Sequence, residues 1–251
     1  MGTIAVSNRT HFAMFMLWVA LPIPAIAADA PKPPKKDQFL VIPLRIHVLK
    51  SKDLPEVDCG LSDADVSRIV GKVNAVWRPA GIHFGLESIV REQAAAQEKF
   101  RLARDLDAGE QGARLGLFRL LLPEATRKFD GLHVYYIHKC SVNGVFMGDD
   151  FAIVQETAKL REVEGGIDEP LPRVTAHELG HALGLAHRQD RTNLLASGTT
   201  GTSLNLAEID RARDFAKKRA GCLPFAELEK TAKDDERAKR WLEEVSKAQP
   251  G

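Results

Sequence analysis

Three histidines in the stretch HELGHALGLAH, residues 177–187, carry the strongest chemical signal in the chain. His177 and His181 are four residues apart, which on a helix puts them on one face and one turn apart, so two imidazoles can share one ion. Gly184 follows where a left-handed backbone ends a helix without strain. The chain can then turn back and deliver His187 from a different direction. Three nitrogen ligands from a helix and a loop leave the fourth tetrahedral position open, the mark of a catalytic zinc site rather than a structural one. Without a metal, three histidines turned to one buried point would be costly to desolvate.

These residues need a helix and a supporting sheet, and the sequence predicts both. FLVIPLRIHVL, residues 39–49, is rich in β-branched and other apolar residues and reads as a strand. From Ser62, a candidate N-cap, apolar residues Val66, Ile69, Val70, Val73 and Trp77 recur at helical spacing until Pro79 and Gly81 stop the pattern. GIHFGLESIV then alternates as a second strand. Residues 91 to about 130 read as a pair of helices interrupted near Gly109 and Gly112, and LHVYYIH, 132–138, as a third strand. VFMGDDFAIVQ, 145–155, reads as a fourth strand with an irregularity at Gly148. The helix carrying the histidines is predicted to begin near Pro172 or Thr175, and another runs from Asn205 to Gly221. The last stretch, 226–251, is so charged that it reads as a solvated helix or a partly frayed tail.

The pattern HExxHxxGxxH resembles the signature of the metzincin metallopeptidases, and the order of elements before it resembles their N-terminal subdomain; the resemblance covers residues 40 to about 222. It implies an α+β, zincin-like fold: a mixed twisted sheet with an active-site helix and a C-terminal helix. It also implies one catalytic Zn2+ on His177, His181 and His187, with Glu178 as general base and Gly184 as the helix-ending glycine. Where the family has a methionine in a tight turn beneath the metal, the matching residue here is Leu195, a departure. Leu and Met have similar volumes, and their exchange in a packed site costs less than about 1.5 kcal/mol. No tyrosine follows that turn as a further ligand, so the chain looks most like the matrixins or small secreted bacterial relatives. The implied activity is zinc-dependent hydrolysis of peptide bonds in a protein or peptide substrate, laid as an added strand along 145–155. A secreted zinc-containing binding module that has lost turnover is the alternative, and intact Glu178 argues for the peptidase. An exported adaptor working through its charged C-terminal helix, with the metal site serving mainly stability, is a third reading; deleting 226–251 separates it from the others, since a peptidase should survive the cut.

Composition is that of a globular protein, with 44% hydrophobic and 27% charged residues among 251. Lys plus Arg number 35 against 34 Asp plus Glu, so no global field recruits nucleic acid or an anionic membrane. Residues 1–27 read as a signal peptide: Arg9, an apolar run over 13–20, and Ala25 and Ala27 at an A-x-A site that leaves Ala28 as the mature N-terminus. Pro22 and Pro24 interrupt the run, so no stable membrane anchor is expected. A Pro/Lys-rich linker follows at 28–38, then the catalytic domain at 39–225 and the charged tail at 226–251. After export, Cys59, Cys140 and Cys222 would meet an oxidising compartment, with Cys59–Cys140 the preferred pair. His47, His83, His133 and His138 read as surface or satisfied core histidines, Trp77 as core packing, and Asp149 and Asp150 as solvated charges.

Overall fold

Strand β1 (Leu40–Lys50) organises the molecule because its residues alternate between two covered faces. Leu40, Ile42, Leu44, Ile46 and Val48 point to one core, and Val41 and Leu49 to two smaller ones on the opposite face. The computed structural model describes residues 34–106 and 111–247; the expected leader, its cleavage site before Ala28 and the first part of the linker lie outside the described residues. Parallel to β1 run β2 (Ile82–Gln93) on one side and β3 (Leu132–Ile137) on the other, and β5 (Phe151–Gln155) is parallel to β3. Strand β4 (Gly144–Phe146) lies antiparallel to β5 and closes the order β2-β1-β3-β5-β4, while a two-residue β6 (Leu223–Pro224) pairs antiparallel to the start of β1. The α+β class with a mixed sheet expected from the sequence is the class observed.

One expected strand proves to be two. Residues 145–155 were predicted as a single strand, but Gly148 (φ 80°) and Asp149 (φ 52°) both take left-handed backbone and reverse the chain, making a β4–β5 hairpin. The hairpin places the shorter strand, β4, at the edge of the sheet. The flanking carboxylates are not simply solvated: Asp149 is paired with Arg119 and Asp150 with Arg219.

Helix α1 (Asp63–Trp77) starts as expected, with Ser62 and Asp65 forming a reciprocal capping box, and buries Val66, Ile69, Val70, Val73 and Trp77. It packs beside α4 (Pro170–Ala182), where the Trp77 indole N–H donates to the Ala176 carbonyl at 3.2 Å. These helices and α5 (Leu206–Lys217) cover the main core face of the sheet. On the other face, α2 (Glu98–Asp105) and α3 (Gln111–Arg119) cover Leu49, Tyr135 and Ile153 with Phe100 and Phe118.

The charged C-terminal stretch is neither free nor frayed over its described length. It forms α6 (Phe225–Thr231) and α7 (Glu236–Lys247), whose Phe225, Leu228, Ala238, Trp241 and Val245 pack on Phe39 and Val41. The apolar residues at 238, 241 and 245 recur at helical spacing, so α7 presents one narrow stripe to the sheet and charges elsewhere. Trp241 lies over Gly85, where a Cβ would come within 2.5 Å of the indole.

Candidate metal centre

Helix α4 is buried along most of its length and starts with Pro170 in its first turn, where the missing N–H costs nothing. It ends where predicted. Gly184 has φ 77°, its N–H donates to the His181 carbonyl at 3.0 Å, and the Leu185 N–H returns to Gly180 at 3.0 Å. That reversal brings His187 back to the helix.

The two helical histidines are oriented by backbone carbonyls. His177 Nδ1 donates to the Leu194 carbonyl and His181 Nδ1 to the Leu185 carbonyl, each at 2.8 Å. A carbonyl only accepts, so both Nδ1 atoms carry hydrogen and both Nε2 atoms present lone pairs. His181 Nε2 lies 3.1 Å from His177 Nε2 and 3.1 Å from His187 Nε2. Zinc–nitrogen bonds of roughly 2.0–2.1 Å at a tetrahedral angle separate ligand nitrogens by roughly 3.3 Å, so the donor set fits zinc. Lone pairs converging this closely, with no hydrogen between two of them, are satisfied by a cation. Among the described residues, His177, His181 and His187 are the group whose ligand atoms lie within 4.8 Å of one another. Burial, with the nearby Arg173 cation second, lowers the His177 pKa to about 3, so its imidazole is neutral as a ligand must be.

Glu178 is buried, and its carboxylate lies against edge strand β4. A Cβ built on Gly144 would meet Glu178 Oε1 at 2.8 Å and Val174 Cγ1 at 2.7 Å, so only glycine leaves room there. Burial pushes the Glu178 pKa up to about 8, opposed by a backbone hydrogen bond from Phe146 and by Arg173. The histidines and Glu178 open on one cleft of about 830 Å³, walled by β4 on one side and by Leu160, Ser197 and Gly198 on the other.

Leu195 lies fully buried beneath the helix, near Gly180, where a Cβ would come within 3.3 Å of Leu195 Cδ1. It therefore occupies the place expected of the turn methionine. Two charged residues that sequence reasoning missed hold this turn. Arg173, one helical turn before His177, donates to the carbonyls of Gly201, Asn193 and Ala196 at 3.1, 3.3 and 2.5 Å. Glu208 accepts from Asn193 Nδ2 at 2.9 Å and from Arg188 Nε at 2.6 Å. No local pattern singled out Arg173, because its carbonyl partners are 20 to 28 residues away.

The remaining candidates lie elsewhere. His47 contacts Glu92 at 2.7 Å and His133 at 2.9 Å, His83 contacts Glu244 at 3.0 Å, and His138 contacts Glu156 at 2.6 Å, in keeping with satisfied histidines. The preferred Cys59–Cys140 pair is not formed, and all three cysteines are free. Cys59 belongs to the core under α1 and α4, and Cys140 packs on the opposite face of the sheet against the α2–α3 cluster. The Cys59 thiol donates instead to Glu156 at 3.3 Å.

Residues 120–212, which include α4 and all three histidines, match the family model described as Matrixin. Comparison with curated proteins returns no match. Three solved structures are similar in part. A chaperone–substrate complex is 14% identical, covering 72% of this chain and 35% of that one, with TM-score 0.41. The archaemetzincin of Methanopyrus kandleri is 15% identical, covering 85% of this chain and 98% of that one, with TM-score 0.34. Metalloproteinase-II of Bacteroides fragilis is 14% identical, covering 78% of this chain and 58% of that one, with TM-score 0.40. The chain thus spans about a third of the first of these proteins and under two thirds of the last. The chain thus has an α+β architecture and is similar to the matrixins over residues 120–212, the segment that bears the three histidines.

Proposed function

We propose that this protein is a zinc-dependent endopeptidase, with His177, His181 and His187 as ligands of one catalytic ion and Glu178 as general base. The observation that carries the reading is the convergence of three imidazole nitrogens beside a buried carboxylate, in a cleft bordered by a free sheet edge. Zinc, when bound, supplies a water of pKa about 7 and polarises the scissile carbonyl. Glu178 takes the proton of the attacking water and hands it to the leaving amine. Strand β4 offers its outer backbone groups to an extended substrate, which gives affinity through main-chain hydrogen bonds with little dependence on sequence. Gly144 keeps that edge close to Glu178.

Export with cleavage before Ala28 belongs to the same reading, supported by the apolar leader and the A-x-A site. N-terminal sequencing of exported material should start at or near Ala28, and a membrane-held product starting at Met1 would count against it.

The deciding experiment is Glu178→Ala. The variant should keep its zinc and its fold and lose about 10² to 10⁴ in rate on a diverse peptide mixture, mainly in kcat. Wild-type cleavage by the variant would remove Glu178 from the mechanism. Failure of both proteins to cleave would favour a zinc-containing binding module.

A further inference from the structure

Arg173 is 1% exposed, and none of its hydrogen-bond partners is a carboxylate. Burying a guanidinium that is hydrogen-bonded only to uncharged groups, with the Glu178 carboxylate acting on it through space alone, is costly, and an apolar residue of similar size would serve stability at least as well. What the guanidinium does that an apolar side chain cannot is span several carbonyls with a rigid planar fork. Its three carbonyl partners, on Asn193, Ala196 and Gly201, bracket the turn beneath the histidines. The two carbonyls between Asn193 and Ala196 both act on the metal centre. Leu194 O accepts from His177 Nδ1 at 2.8 Å, and Leu195 O accepts from the backbone N–H of Arg188, next to His187, at 3.0 Å. Of four consecutive carbonyls, the outer two therefore face the guanidinium and the inner two the ligand-bearing segments.

We propose that Arg173 is a positioning residue of the metal centre. Its guanidinium holds the 193–201 turn against α4, so that the Leu194 carbonyl keeps the proton of His177 on Nδ1 and leaves Nε2 aimed at the ion. The proposal rests on the zinc reading given above. It also gives the Leu195 departure a physical setting: the turn is held by polar bonds to its backbone, and the side chain beneath the metal has only to fill space. Arg173 Nη1 lies 3.1 Å from His177 Nδ1. Because that Nδ1–H already donates to Leu194, the contact adds no hydrogen bond and persists because the other guanidinium bonds hold the fork in place.

The test compares wild type, Arg173→Met and Arg173→Lys. Zinc affinity is measured with zinc alone, by competition with a chelator at fixed pH, alongside thermal unfolding of the metal-free proteins. Arg173→Met should unfold metal-free at or above the wild-type temperature yet bind zinc about 10- to 100-fold more weakly, the usual effect of losing a group that orients a ligand. Arg173→Lys should fall between the two, because an ammonium donates from one point and cannot span three carbonyls. Nitrogen chemical shifts of His177 should report a single Nδ1–H tautomer in wild type and a mixture in Arg173→Met. Zinc affinity within about twofold of wild type in both variants would overturn the proposal and leave Arg173 a packing residue. Should Arg173→Met fail to fold, Arg173→Lys decides alone: several-fold weaker zinc binding supports the role, and unchanged binding overturns it. If wild type itself bound no zinc, the site reading and this proposal would fall together.

Discussion

At the scale of single residues, the centre is a set of close approaches that leave little slack. His187 arrives from the loop beyond Gly184 and is the exposed member of the three, so it relies on that turn for its position. His187→Ala should remove one of three nitrogen ligands, and zinc per chain after dialysis should fall well below the wild-type value. Zinc content equal to wild type would exclude His187 as a ligand. Gly144 makes a different prediction. A methyl group there would lie 2.8 Å from Glu178 Oε1 and 2.7 Å from Val174 Cγ1, so the carboxylate or the edge strand must shift. Misplacement by about 1 Å costs about 10²-fold in rate. Gly144→Ala should therefore lower kcat by a factor of that order while zinc content stays unchanged; an active variant with wild-type kcat would show that Glu178 tolerates displacement.

At the scale of elements, the C-terminal helices belong to the packed fold. Trp241 is 5% exposed, stacks over Gly85 and donates its indole N–H to the Leu86 carbonyl at 3.2 Å. Truncating a buried aromatic of this size costs about 3–5 kcal/mol. Trp241→Ala should lower stability by about that amount in urea unfolding, with zinc affinity of the folded protein unaltered because the cluster lies on the sheet face away from α4. Deleting 226–251 removes the same cover from Phe39 and Val41, so the shortened chain should lose stability, contrary to the sequence-based expectation of a dispensable tail. A truncated protein as stable as the full chain would refute this packing role.

At the scale of the whole molecule, pH acts through a polar network buried between the two outer cores. His47, fully buried, touches Glu92 and His133, and burial first, with His133 and Arg45 next, lowers its pKa from 6.5 to about 3. Burial also lowers the His133 pKa and raises that of Glu92. For a histidine whose folded pKa is depressed, the unfolded chain binds the proton first. The stability it contributes is complete above about pH 6.5 and declines as pH falls from there toward 3, at up to roughly 1.4 kcal/mol per pH unit. The raised Glu92 works in the opposite sense, favouring the folded state at acid pH, and offsets part of the loss. Urea midpoints should therefore fall between pH 7 and pH 5, and His47→Gln should flatten that slope even if it lowers stability throughout. An unchanged slope in His47→Gln would place the acid sensitivity elsewhere.

What the sequence determined by itself was whatever depends on neighbours along the chain. The i, i+4 histidines, the helix-ending Gly184 and the Ser62 cap follow from helical periodicity and capping, strand β1 follows from its run of β-branched and other apolar residues, and each lies where expected. The three-histidine cluster was legible for the same reason, since its members span residues 177–187. Only the tertiary structure decided what depends on distant partners. The 145–155 stretch became a hairpin because Gly148 and Asp149 reverse the chain, a choice that local apolar patterning does not reveal. The charged C-terminal stretch folded down because Phe39 and Val41 needed cover, and the face of α7 that supplies it has few apolar residues. Cys59 and Cys140 stayed apart because the sheet lies between them. Arg173, Gly144 and Glu208 were silent in sequence because their roles lie in carbonyls, carboxylates and side chains brought near by the fold, and side-chain identity at one position carries no record of which backbone group will face it.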